Sequence, residues 1–186
     1  MAFVVLYDAC VLYPAPLRDL LIRIAEAGVV RATWSEEILE ECFRNILKDR
    51  KDLSPAKLAR TRELMRIVLP DCLVTGYEAL IPALKLPDPG DRHVLAAAVK
   101  AGAQVLVTAN LKHFPEKTLK PFNIEAMHPD DFVLDAIDLA QGVVTEVVRQ
   151  QAASLKNPPR TVGELLETLK AQGLVQTVAK LRDLGV

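Results

Sequence analysis

Residues 2–7 form an unbroken apolar run, Ala-Phe-Val-Val-Leu-Tyr, rich in β-branched and aromatic side chains. A run without polar alternation reads as a strand buried on both faces, as in a parallel sheet. Similar runs stand at residues 103–108 and 124–127, with shorter candidates at 29–33 and near Leu73. Between them the pattern is helical. Pro14 and Pro16 open a helix with Leu17, Leu20, Leu21 and Ile24 on one face, and Gly28 stops it. Ser35 caps the next, whose stripe is Ile38, Leu39, Cys42 and Ile46, with Trp34 placed to staple against Leu39. Ser54-Pro55 opens a third, carrying Leu58, Met65 and Val68, and a short helix is expected around 78–84. Asp88-Pro89 opens an Ala-rich helix through Val94, Leu95 and Ala98 to Gly102, and His128-Pro129 opens another. Strands alternating with helices predict a three-layer α/β/α sandwich with a mainly parallel central sheet. From residue 138 the pattern is all helical. Asn157-Pro158-Pro159 breaks it, and Thr161-Val162-Gly163-Glu164 is a capping box. The expected division is a domain of residues 1–137 followed by a helical extension, 138–186, either a lid on the core or a partner-binding arm.

A length of 186 residues suits this plan. With 51% apolar and 25% charged residues the chain is too hydrophobic to be disordered. No apolar stretch approaches the roughly 18 residues of a membrane span, and the start has no basic n-region of a secretory signal. Cys10, Cys42 and Cys72 form no C-x-x-C pair, which argues against a disulfide framework or a thiolate zinc site and for a cytoplasmic location. The net charge of −1 gives no general attraction for nucleic acid. Any such binding must use a local patch or a metal ion.

In an open parallel sheet, ligands bind beyond the carboxyl ends of the strands. Asp8 ends the first strand, and Thr108-Ala109-Asn110 ends the one at 103–107. Asp91 lies in the buried direction of its helix, with Val94, Leu95 and Ala98 around it, and is expected at N3 behind an Asp88 cap and Pro89. On a wheel of about 100° per residue, Glu41 and Asn45 fall on the border of the apolar stripe, while Glu36 and Glu40 point away. Periodicity alone leaves Glu41 open between a pocket acid and a surface acid favoured by the helix dipole. Carboxylates converging on one rim repel unless a cation neutralises them. Oxygen ligands without a Cys or His pair select Mg²⁺ or Mn²⁺, ions suited to phosphoryl chemistry.

These blocks resemble the PIN-domain nucleases, in particular the VapC-type toxins of bacterial toxin–antitoxin pairs. Val5-Leu6-Tyr7-Asp8-Ala9-Cys10-Val11-Leu12 is similar to that family's opening strand and acid. Ser35-Glu36-Glu37-Ile38-Leu39-Glu40-Glu41 is similar to its second block, which selects Glu41 over Glu40. The segment from Asp88 to Ala98 resembles the third block, with Asp91 as its acid, and Val107 to Pro115 the fourth. His128-Pro129-Asp130-Asp131-Phe132 resembles the end of such domains. The resemblance implies a Mg²⁺- or Mn²⁺-dependent endoribonuclease. Asp8 and Asp91 would be metal ligands, Glu41 a ligand or the residue orienting the attacking water, and Asn110 the holder of a water. Asn110 and His113 stand where many members carry Asp, so one charge is missing. Arg44, Lys48, Arg92, Lys112 and His113 are candidates for gripping RNA. A cognate antitoxin and a homodimer are the implied partners, with no membrane. Competing readings are a non-catalytic PIN-like module that binds RNA or protein, and a PIN nuclease of RNA processing that is not a toxin. A dehalogenase-like phosphatase would want an acid where Cys10 stands, and in a receiver domain Lys112 would follow its strand too late.

Overall fold

The computed structural model describes residues 3–186. Ala2, the first residue of the expected opening strand, lies outside them. In chain order the elements are β1 (Phe3–Tyr7), α1 (Ala9–Leu12), α2 (Ala15–Glu26), β2 (Val30–Ser35), α3 (Glu36–Asp49), α4 (Pro55–Val68) and β3 (Leu73–Val74). They continue with α5 (Arg92–Ala101), β4 (Val105–Val107), α6 (Glu116–Leu119), β5 (Glu125–Met127), α7 (Pro129–Ser154), α8 (Val162–Ala171) and α9 (Val175–Asp183). Among these residues no helix is long and apolar enough to cross a membrane.

The five strands pair in parallel in the order β3-β2-β1-β4-β5. β1 is central, and Leu6 and Tyr7 lie opposite Leu106 and Val107 of β4. The chain runs outward to β2 and β3 on one side and to β5 on the other. The order therefore reverses between β1 and β4, and the loops leaving their carboxyl ends diverge to open a crevice there. Leu6, Tyr7, Trp34, Leu95 and Leu106 are fully buried in the core. Tyr7 lies parallel to Trp34 at 6.4 Å and edge-on to Phe132 at 5.9 Å, so β1, β2 and α7 meet around one aromatic cluster. The small side chains Ala96, Ala97 and Ala98 are buried where α5 packs on β1 and β2.

One local expectation is corrected. Asp88-Pro89 does not begin a continuous α-helix. Pro89–Asp91 winds as a 3₁₀ turn, α5 starts at Arg92, and Asp91 is its N-cap residue rather than N3. The Asp88 side chain accepts the Gly90 N–H at 2.8 Å, and this local bond favours the tighter winding.

α7 continues from the sheet through residue 137 and breaks its helical geometry at Ala140, at φ −148° and ψ 56°. It packs on α2, α8 and α9. Polar ties fasten this helical region to the rest. Asp130, at the start of α7, accepts the N–H of Gln176 at 2.9 Å and of Thr177 at 2.8 Å, and the Thr177 hydroxyl donates to the Asp130 carbonyl. α9 has no side-chain cap of its own, so Asp130 serves as one. At the start of α2, the Leu17 N–H donates to Gln172 Oε1, and Gln151 Nε2 donates to the Pro16 carbonyl.

Candidate metal centre

Asp8 follows β1 directly and is buried. Its Oδ1 accepts the Ala9 N–H at 2.7 Å, which caps the single turn of α1. Its Oδ2 accepts the Thr108 hydroxyl at 2.7 Å and the Cys10 thiol at 3.2 Å. Thr108, fully buried at the end of β4, also receives the Asn110 N–H at 3.0 Å. The Asp8 carboxylate is thus fixed across the point where the strand order reverses. Burial, together with the Asp8 charge, pushes the Cys10 thiol up to about 12, so it is a neutral donor to Asp8.

Asp91 faces this point from the start of α5. His113, at the end of a 3₁₀ turn over Leu111–His113, places Nδ1 2.8 Å from Asp91 Oδ2. Donor atoms of Asp88, Asp91 and His113 all lie within 4.8 Å of one another. Burial raises the Asp91 carboxyl above its ordinary value. The charges of Asp8 and Asp88 push the same way, and His113 offsets them only in part.

Glu41 lies in a cleft of about 430 Å³ with Glu37, Glu40, Arg44, Asp88, Asp91 and His93. Glu37, Glu40, Glu41 and Arg44 follow the i, i+3, i+4, i+7 spacing of one helix face. Glu40 therefore faces the cleft, where an outward direction was expected, because the cleft lies beside the apolar stripe rather than under it. Glu36 turns to Arg62, at 2.5 Å. His93 is buried between the two acids of α3, with Nε2 3.5 Å from Glu41 and Nδ1 3.7 Å from Glu37. His93 holds the Glu41 carboxyl below its ordinary value, against the opposing effect of burial. Burial pushes the His93 imidazole down, but Glu41 and Glu37 outweigh it and the net shift is upward. Tyr77 donates to Glu37 at 3.1 Å and completes the row.

The structure thus brings Asp91 and Glu41 to one cleft and sets Asp8 close enough for its charge to act on Asp91 and His93. Asn110 is near through its backbone; its side chain is exposed and makes no hydrogen bond among the described residues. Arg44 borders the cleft. Lys48 and Lys112 are exposed and Arg92 half-buried, none of them lining it. Sequence reasoning passed over His93, Glu37 and Thr108. The signals available for them were a histidine on the buried face of an Ala-rich helix, the four-residue spacing from Glu37 to Glu41, and a hydroxyl at a strand end.

Among the described residues, Asp8, Glu37, Glu41, Asp88 and Asp91 form no ion pair with Lys or Arg; imidazoles are their only ionic partners. Five acids so placed lack countercharge, which is the donor set a divalent cation fits.

The family model described as PIN domain matches residues 4–112. This chain belongs to the PIN-domain family. A second family model, described as VapC50 C-terminal domain, matches residues 129–183. This PIN-domain chain is 47% identical over 109 residues to the protein of Mycobacterium tuberculosis named "Putative ribonuclease VapC50". The match covers 59% of the chain and 63% of that relative, so the chain spans less than two thirds of the relative's length. No solved structure matches.

Proposed function

We propose that this PIN-domain protein is a metal-dependent endoribonuclease and the toxin of a toxin–antitoxin pair. The observation that carries this reading is the convergence of Asp8, Glu41 and Asp91, from three different elements, on a crevice without Lys or Arg countercharge. The relative's printed name supports ribonuclease activity. Asp8, Asp91 and Glu41 would hold Mg²⁺ or Mn²⁺, which when bound neutralises phosphate charge and makes water a better nucleophile. The chain's own residues fix the geometry. Thr108 and Cys10 hold Asp8, His113 holds Asp91, and His93 keeps Glu41 ionised and turned to the cleft, where it orients the attacking water. The Asn110 amide holds a second water, and Arg44, Lys112 and His113 meet RNA phosphates. In this reading residues 1–137 are the nuclease domain and 138–186 its helical extension. The protein works in the cytoplasm as a homodimer restrained by a cognate antitoxin.

One observation favours a second reading, a non-catalytic module: Asn110 adds no charge and its side chain is unengaged. Incubating the purified chain with a mixed RNA pool in Mn²⁺, Mg²⁺ or EDTA separates the two. Metal-dependent cutting, lost in Asp8→Asn and Asp91→Asn, supports the nuclease. Intact RNA in every condition favours the module.

A further inference from the structure

The counter-groups that reach the acid cluster are imidazoles, and this bears on which ion the cluster takes. His113 Nδ1 lies 2.8 Å from Asp91 Oδ2, within a trio of donors no more than 4.8 Å apart that includes Asp88. The pair is substantially buried, with side chains 29% and 22% exposed. Its position is built: the His113 N–H donates to the Asn110 carbonyl, the Phe114 N–H donates to the Leu111 carbonyl, and the buried Phe114 ring anchors the turn behind it. A second observation points to a ligand in the same cleft. The His93 side chain is 9% exposed, and its Nδ1 has no hydrogen-bond partner.

We propose that His113 is itself a metal ligand, together with Asp91 and Asp88, and that its imidazole tips this site from Mg²⁺ towards Mn²⁺. The proposal rests on the metal-dependent reading above and deepens it. Mg²⁺ dehydrates reluctantly and is bound through oxygen, whereas a nitrogen donor adds more to the affinity of a transition-metal ion. Replacing one oxygen by a ring nitrogen therefore changes the ratio of the two affinities and not only their sum. His113 would then act at the metal rather than on RNA phosphates.

The test uses the full chain at one fixed, mildly alkaline pH. Mn²⁺ uptake is read from the paramagnetic resonance signal of the free ion, and Mg²⁺ affinity from its competition. Wild type, His113→Asp and His113→Ala are compared, each with a thermal melt. The expected result is a clear preference of the wild type for Mn²⁺ that falls about tenfold or more in both variants while the melts stay alike. A preference for Mg²⁺ in the wild type, or the same ratio in all three proteins, overturns the proposal and leaves His113 as a partner of Asp91 alone. Uptake of neither ion by the wild type overturns the metal-dependent reading as well, which separates the two failures.

Discussion

Asp8 owes its orientation to a hydroxyl 100 positions further along the chain. Thr108→Val keeps the shape but removes that donor and leaves the buried Asp8 oxygen short of a partner. The variant is expected to lose about 1–3 kcal/mol of stability and roughly tenfold or more in Mn²⁺ affinity. Chemical denaturation and metal titration read the two effects, and an unchanged metal affinity would remove Thr108 from the support of the site. Asp8 and Asp91 were legible in the sequence because each breaks a local rule, an acid ending an apolar strand and an acid on a buried helix direction. His93 was not. Its meaning comes from Glu37 and Glu41 on another helix, and periodicity along α5 says only that it points inward. Glu41 was half legible, since a wheel drawn on the apolar stripe does not show where a cleft flanks it.

The same contrast holds for elements. The cap of α8 is written in four consecutive residues, and the structure contains it. The cap of α9 is Asp130, 46 residues before Gln176, and no local pattern announces it. Burial pushes the Asp130 carboxyl up, but the Thr177 and Gln176 N–H groups outweigh it, so the net shift is downward. A carboxylate with a depressed folded value contributes stability above its unfolded value of about 3.9, and loses it as pH falls through the folded value. Asp130→Asn should therefore destabilise the protein at neutral pH by about 0.5–2 kcal/mol. The difference from wild type should shrink on acidification below pH ~4. Denaturation midpoints of the two proteins across that range check the sign; a gap that widens in acid contradicts it. The start of α5 failed as a prediction for a related reason. The bond from Gly90 to Asp88 sets a tighter turn than the helical pattern foresees.

The strand-and-helix alternation gave the whole molecule its parallel α/β architecture, because buried strands and amphipathic helices differ in period. How the C-terminal helices sit on it was not legible, since the contacts are long-range. α7 crosses residue 137 without interruption, and α8 and α9 bury Leu165, Leu166, Leu169, Val178 and Leu181. With Gln172 and Gln151 also bonded to the start of α2, the two regions share a core. Calorimetry should accordingly show one cooperative transition, with calorimetric and van't Hoff enthalpies equal. Two separated transitions would show that the helical region melts on its own.

The bond between Leu17 and Gln172 also imposes an order in time. A ribosome makes α2 long before it makes residue 172, so the amide at the head of that helix waits through most of synthesis for its acceptor. Asp130 waits likewise for Thr177. Every acid of the cleft has been translated by residue 91, yet the scaffold beside them closes only when the later helices arrive. A nascent chain thus carries all the carboxylates of the site before it has the fold that holds them, and an mRNA cut short after residue 91 would yield those acids without the frame.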